Sequence, residues 1–399
     1  MRFSVLLLVL LALAGCQYRG AKSKDYARPL PPGRNALEAV SADELPELTI
    51  ATAGREQLRE GIRRSLAYLA SGTATKTYAN GVAGFTREQI VASLTELDRI
   101  LATAASDGEL NDRIKAKFRA WRSVGCDDRG TVLFTGYYTP ILPASRTQTA
   151  EYRWPLYRRP ADLVRTGDPQ SAAVTISLRK KADGSTEAYP ERSVIEESGM
   201  LKGLEIFWLA DPFDAYLVQV QGSARLRLAD GSGGAGGNLV EIGYDGTNGH
   251  PYRSIGPELV KDGKIPGGRL SFSTMLGHFR AHPEDVPIYT RRNPRYVFFR
   301  EVGGGPFGSI GQKVAGDISI ATDKSIFPPG APVLVETRMI VPPGVDPTNY
   351  AALRLDQDTG GAIRAPGRCD LYMGEGETNA TRAGAQYAEG KMYYLILRD

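Results

Sequence analysis

The chain has 399 residues, more than one small core usually organises, so two domains are expected. A composition of 42% hydrophobic and 24% charged residues is that of a folded globular protein and excludes extensive disorder. With 49 basic against 45 acidic side chains and no basic block, the chain is not a nucleic-acid reader; a net charge of +4 gives at most a weak bias towards an acidic polymer.

At the N-terminus, Arg2 precedes a short apolar run, Val5 to Ala14, that is too short to span a bilayer. The run ends in Leu13-Ala14-Gly15-Cys16, which resembles the bacterial lipobox. That resemblance implies a signal peptide over residues 1–15 and a lipid on Cys16; an ordinary signal peptide with a chance cysteine is the alternative. Acyl chains contribute about 0.8 kcal/mol per buried CH2, so several on Cys16 would anchor the protein firmly. Gln17 follows the cysteine where Asp would favour inner-membrane retention, and by resemblance to lipoprotein sorting this implies the periplasmic face of the outer membrane. Residues 16–45, with Pro29, Pro31, Pro32 and Gly33, read as a tether.

Three amphipathic helices are predicted next. Leu58, Ile62, Leu66 and Leu69 share one face of the first. The second opens on a capping box, Thr86 to Gln89, and continues through Ile90, Leu94, Leu97 and Leu101. The third carries Leu110, Ile114, Phe118 and Trp121. From about Thr131 the pattern becomes β: strands are expected at Thr131–Tyr138, Val174–Leu178, Ala215–Leu228 and Val333–Val341. Ala229 to Gly237 reads as a hairpin tip, and a short helix is expected near Ser273–Ala281. The class is a helical start followed by mainly β structure.

Several motifs mislead. Gly303, Gly305 and Gly308 match GxGxxG, but Pro306 interrupts them and no amphipathic helix follows to hold a pyrophosphate. No P-loop, GxSxG, CxxC or HExxH spacing occurs. His278 and His282 lie one helical turn apart without the HExxH glutamate, so neither a metal nor a cofactor is expected. Cys126 and Cys369 are either a disulfide or two buried thiols.

The segment Asp356–Gly376 carries the chemistry. Asp370 is flanked by Cys369 and Leu371-Tyr372, an apolar and aromatic setting that raises a carboxyl pKa. A carboxylic acid kept protonated near neutrality can donate to a glycosidic oxygen. Asp356 and Asp358 read as turn residues beside Gly360-Gly361, with strand-like stretches around Ala362 and Leu371.

Seven ordered blocks then resemble the membrane-bound lytic murein transglycosylase A family. They are Phe134-Thr-Gly-Tyr-Tyr-Thr-Pro140, Tyr152-Arg-Trp-Pro-Leu-Tyr157, Val220-Gln-Gly-Ser-Ala224, Gly243-Tyr-Asp-Gly-Thr-Asn-Gly-His250, Pro251-Tyr-Arg-Ser-Ile-Gly256, Asn293-Pro-Arg-Tyr-Val-Phe-Phe299 and Asp358-Thr-Gly-Gly-Ala-Ile-Arg364, the last leading to Asp370. The resemblance implies a double-psi β-barrel domain, a second, smaller inserted β-domain, and a glycan groove between them. The barrel is expected over residues 46–140 and 301–399, the insertion over 141–300.

What the resemblance implies for activity is cleavage of the β-1,4 bond between N-acetylmuramic acid and N-acetylglucosamine in peptidoglycan, leaving a 1,6-anhydromuramoyl end. It puts the catalytic acid on Asp370 and a supporting carboxylate on Asp358. Substrate contacts are expected from Thr135, Tyr137 and Tyr138, and from Gln219, Gln221 and Ser223 alternating on a strand. Tyr244, Asn248, Tyr252 and Arg253 are further candidates, and Arg364 a partner for a carboxylate. Two alternatives stand beside this reading: a conventional glycosidase using Asp370 and Asp358 as an acid–base pair, and a non-catalytic peptidoglycan-binding lipoprotein.

Overall fold

The computed structural model describes residues 24–48, 54–166, 176–231, 238–339 and 348–398. Cys16, the glycine tip at 232–237, Val174, Thr175, Ile340 and Val341 lie outside them. The first third of the chain supplies three strands, β1 (Leu37–Val40), β2 (Phe118–Ser123) and β3 (Val132–Thr139). Between β1 and β2 lie four helices, α1 (Arg55–Leu69), α2 (Gly72–Thr77), α3 (Arg87–Thr103) and α4 (Asp107–Lys117).

The middle of the chain builds a separate unit. Its strands are β4 (Ile141–Ser145), β5 (Trp154–Tyr157), β6 (Leu163–Thr166), β7 (Ile176–Lys180), β8 (Thr186–Ala188), β9 (Glu205–Leu209), β10 (Ser223–Leu228), β11 (Leu239–Thr247) and β12 (Val297–Val302). Its helices are α5 (Arg192–Ser198), α6 (Pro212–Gln221), α7 (Gly256–Lys261), α8 (Phe272–Ala281) and α9 (Asp285–Thr290). The chain then returns through β13 (Ser319–Ala321), β14 (Pro332–Met339), β15 (Thr348–Asp358), β16 (Arg368–Glu375), α10 (Gly376–Ala385) and β17 (Tyr387–Leu397).

The outer strands form one eight-stranded sheet in the order β1-β2-β17-β14-β15-β13-β16-β3, and β17 also pairs with β3, which closes it. Two pairings are parallel, β16 with β3 and β13 with β15, inside an otherwise antiparallel barrel. Strands from opposite ends of the sequence thus lie side by side, the double-psi arrangement. Phe134, Ile320, Leu334, Leu353, Leu371 and Leu395 are buried in its core. Fully burying each such side chain is worth about 1.5–3 kcal/mol. The inserted unit has a six-stranded sheet, β12-β11-β10-β4-β9-β5, and a three-stranded one, β6-β7-β8. Phe272 on α8 edges onto Tyr138 of the barrel, ring centroids 6.4 Å apart, and fastens the two units together.

Local signals explain much of this. Thr86 accepts from the Gln89 amide while the Gln89 side chain accepts from the Thr86 amide, so the capping box starts α3 as its sequence requires. The expected third helix is shorter than its apolar stripe. It stops at Lys117, and Phe118 and Trp121 belong to β2. Ladders to β1 and β17 claim that segment, and tertiary pairing overrides the helical spacing over its last residues.

A second correction concerns Ala215–Leu228. Its first half is helix α6, capped by the Asp211 carboxylate on the amides of Phe213 and Asp214, with Pro212 in the first turn and Gly222 left-handed at the C-cap. Only Ser223–Leu228 is strand. The tether is also shorter than expected. From Lys24 the chain is docked: Lys24 and Tyr26 bind Glu389, Arg28 and Arg34 pair with Asp128, and β1 joins the barrel sheet. Cys126 and Cys369 are both buried free thiols, with no bridge between them.

Candidate active site

The barrel's two parallel pairings concentrate carboxyl groups at one place. β13 lies between β15 and β16, and Ala321 on it is registered with both Asp358 and Asp370. The two aspartates therefore sit two strand spacings apart at their backbones, about 10 Å. On the far side of β16, Asp370 is registered with Thr135 of β3. The Thr135 hydroxyl donates to Asp370 Oδ1 at 2.9 Å. Oδ2 accepts no hydrogen bond among the described residues. Burial beside Cys369 and the strand core is the main influence on this carboxyl; it outweighs the Thr135 bond and the Arg368 charge and pushes the pKa up to about 6.

Asp358 differs. Oδ1 accepts from the amides of Ser309 (2.9 Å) and Thr359 (2.8 Å), and Oδ2 accepts from the Tyr137 phenol at 2.7 Å. Burial still raises its pKa, against those three bonds. Both oxygens are nevertheless engaged, so Asp358 is an anchor for the 307–311 loop and for Tyr137. Gly308 makes that anchor possible, because a methyl there would overlap the Gln357 carbonyl oxygen.

Asp356 corrects the reading of this segment as turn. It lies within β15 and is wholly buried, bonded to Thr322, Lys324 and Tyr394. Thr322 in turn accepts from Thr359 and donates its amide to the Asp358 carbonyl. The Asp356 cluster thus pins the strand end that presents Asp358. Ala362 is in a turn, not a strand.

Among the expected substrate contacts, the structure brings Thr135 and Tyr137 to the two aspartates and leaves both partly exposed. It does not bring the others there. Tyr138 is buried against Phe272. Gln219 is buried on α6, its amide oxygen accepting from Arg192 and from the Val297 amide. Gln221 accepts from the Tyr138 amide, and Ser223 opens β10 opposite Gly243. A helix cannot present Gln219, Gln221 and Ser223 on one face with period two, so that expectation is corrected. Asn248 is buried and bonded to Pro190, Pro294 and Tyr296, a structural role. His278 bonds Asp285, and Arg364 pairs with Asp323.

Across from β16 the inserted unit contributes Tyr252 and Arg295. Tyr252 faces Arg368 closely enough to feel its charge. The Arg295 guanidinium lies against Gly361, where a methyl would come within 3.0 Å of Nε. Sequence reading passed over Arg295, Arg368 and Ser309. The i, i+2 spacing of Arg368 and Asp370 on a strand was the available signal for one of them.

A closed barrel with an inserted β-unit, and on barrel strand β16 one under-coordinated, protonatable carboxyl, defines a carboxylic-acid carbohydrate-processing scaffold. Residues 133–300 match the MltA specific insert domain and residues 318–396 match the 3D domain. The membrane-bound lytic murein transglycosylase A of Escherichia coli K12 is 31% identical over 279 residues, covering 69% of this chain and 68% of that protein. Its Vibrio cholerae counterpart is 28% identical over 280 residues, with 69% and 68% covered. In structure, a membrane-bound lytic murein transglycosylase from Agrobacterium tumefaciens superposes with a TM-score of 0.73 at 26% identity, covering 91% of this chain and 98% of that one. E. coli MltA with bound chitohexaose shares the fold, with a TM-score of 0.70 at 23% identity over 95% and 97%. The chain belongs to the membrane-bound lytic murein transglycosylase A family.

Proposed function

We propose that this protein cleaves peptidoglycan glycan strands as a lytic transglycosylase, with Asp370 as the single acid–base residue. The observation that carries the assignment is the contrast between the two carboxyls. Asp370 keeps one oxygen free and is pushed up to about 6, whereas Asp358 has both oxygens occupied. Protonated Asp370 gives its proton to the glycosidic oxygen as the bond to the muramoyl C1 breaks. The resulting carboxylate takes the proton of the C6 hydroxyl as that oxygen attacks C1. Protons balance, no water is consumed, and the nucleophile is intramolecular, so little entropic cost attends its approach. A hydrolase would need a second carboxylate free to activate water; the engagement of Asp358 speaks against that role.

In the same reading, Thr135 orients Asp370, Tyr137 holds Asp358, and the domains divide at 140/141 and, where 300/301 was expected, after Val302, because β12 pairs to its end with β11 of the inserted sheet. Membrane attachment runs through a lipid on Cys16, on the periplasmic face of the outer membrane. Among the described residues no helix is long and apolar enough to cross a membrane, which is compatible with a lipid anchor. The test is release of soluble fragments from purified sacculi. Wild type is expected to release them and Asp370→Asn to release none above background; equal release by both proteins would overturn the assignment.

A further inference from the structure

Arg368 stands beside Asp370, and Arg295 lies against the turn that follows Asp358. Arg368 precedes Asp370 by two residues on β16, about 7 Å along the same face. Arg368 Nη2 donates to Thr135 Oγ1 at 3.3 Å, while its Nε is buried and makes no hydrogen bond. Arg295 reaches over from the inserted unit onto Gly361, in the turn after Asp358. Among the described residues its guanidinium makes one hydrogen bond, a long one from Nη1 to the His250 carbonyl at 3.4 Å. Among the described residues, neither arginine has an Asp or Glu oxygen within 4.0 Å, although the structure carries surface ion pairs in abundance elsewhere. The titratable side chains that act on Arg295 are the Tyr244 phenol and the Arg364 guanidinium, neither of them an acidic carboxylate. Arg368 faces Asp370 and Tyr252.

Half-buried guanidinium groups are expensive to leave unpaired. Arginine's planar fork is the side chain best matched to a carboxylate. A donor left bare beside the candidate acid is therefore a feature of recognition. The saccharide expected there is not neutral: a muramoyl ring carries a lactyl ether at C3, one carbon from the scissile linkage's neighbours, which ends in a carboxylate when the strand is denuded of peptide. When a peptide stem is present, that carbonyl is an amide and the carboxylates lie further out on the stem.

We propose that Arg368 and Arg295 form an anion subsite that binds a carboxylate carried by the muramoyl residue at the cleavage position. The subsite rests on the peptidoglycan reading above and extends it to substrate preference. Arg368, beside the acid, takes the near carboxylate; Arg295, against the turn after Asp358, adds a second cation from the inserted unit's side. The glycan is thereby registered so that a muramoyl ring, not an N-acetylglucosamine ring, offers its C1 to Asp370. A charged hydrogen bond of this kind changes affinity about tenfold or more when one partner is removed.

Equilibrium binding tests the subsite apart from catalysis. Three oligosaccharides of matched length are titrated into full-length Asp370→Asn protein: chitohexaose, a denuded muramoyl-glucosaminyl oligomer, and the same oligomer bearing peptide stems. The measurement is repeated with Arg368→Gln or Arg295→Gln added. The muramoyl oligomers are expected to bind more tightly than chitohexaose, to weaken with salt, and to lose about tenfold in affinity in each arginine variant. Chitohexaose binding is expected to hold. Loss confined to the denuded oligomer supports the subsite with the lactyl carboxylate as its anion; loss confined to the stem-bearing oligomer supports it with a stem carboxylate. Equal weakening of all three ligands by both variants, or no preference over chitohexaose, would overturn it. Arg368→Lys keeps the charge and guards against misfolding: its retention of the preference is expected, and loss of preference by a folded Arg368→Lys contradicts the charge assignment. The Asp370 assignment is read separately, from fragment release, so either proposal can fail without the other.

Discussion

At the scale of single residues, Asp370 is the group whose titration has consequences. A folded-state pKa near 6 exceeds that of an unfolded aspartate, so the native state holds the extra proton between about pH 4 and 6. Stability contributed by this group therefore falls as pH rises through that window and stays low above it. Asp370→Asn is expected to raise Tm at pH 7, by on the order of 1–3 kcal/mol of stability, and to have no effect near pH 3.5. Thermal melts at the two pH values check this. Activity should mirror it: kcat/KM is expected to fall about tenfold per pH unit above roughly pH 6, as the acid form is lost. Thr135→Val removes the donor that steadies the carboxylate and should move that limb to higher pH. An unmoved limb in the pH–rate profile would count against Thr135 as the positioning residue.

At the scale of elements, the end of β15 is the critical joint. Asp356→Ala leaves the buried Lys324 ammonium with the Thr322 hydroxyl but no counter-charge and is expected to cost about 3–5 kcal/mol in denaturant unfolding. The double variant Asp356→Leu with Lys324→Met should recover most of that, since the pair holds position rather than stability. Gly308→Ala should push the Ser309 amide off Asp358 and lower fragment release at least tenfold while leaving far-UV circular dichroism unchanged. Elements were legible where local chemistry and tertiary demand agree, as in the Thr86 capping box and the apolar face of α1. They were illegible where the two compete. Tyr216-Leu-Val-Gln-Val220 has strand composition, but the Asp211-Pro212 start and Gly222 stop make it a helix. Asp356 looks like a turn residue because nothing in its vicinity along the chain shows that Lys324 and Tyr394 converge on it.

At the scale of the whole molecule, the division into barrel and insertion was readable from the seven ordered blocks, because family resemblance carries topology that periodicity does not. No local pattern indicates that β3 and β16, more than 200 residues apart, run parallel and in register at Thr135 and Asp370. That pairing is what brings Thr135 to Asp370, and no local pattern indicates that Arg295, from the other unit, lies against the turn after Asp358. The central claim is that one acid serves both proton transfers and that the sugar's own C6 hydroxyl is the nucleophile. It is tested most directly by digesting sacculi in water enriched in oxygen-18 and weighing the new muramoyl ends. The account predicts ends lighter by one water than a reducing sugar and free of the heavy isotope; ends that carry a single oxygen-18 at C1 would contradict it.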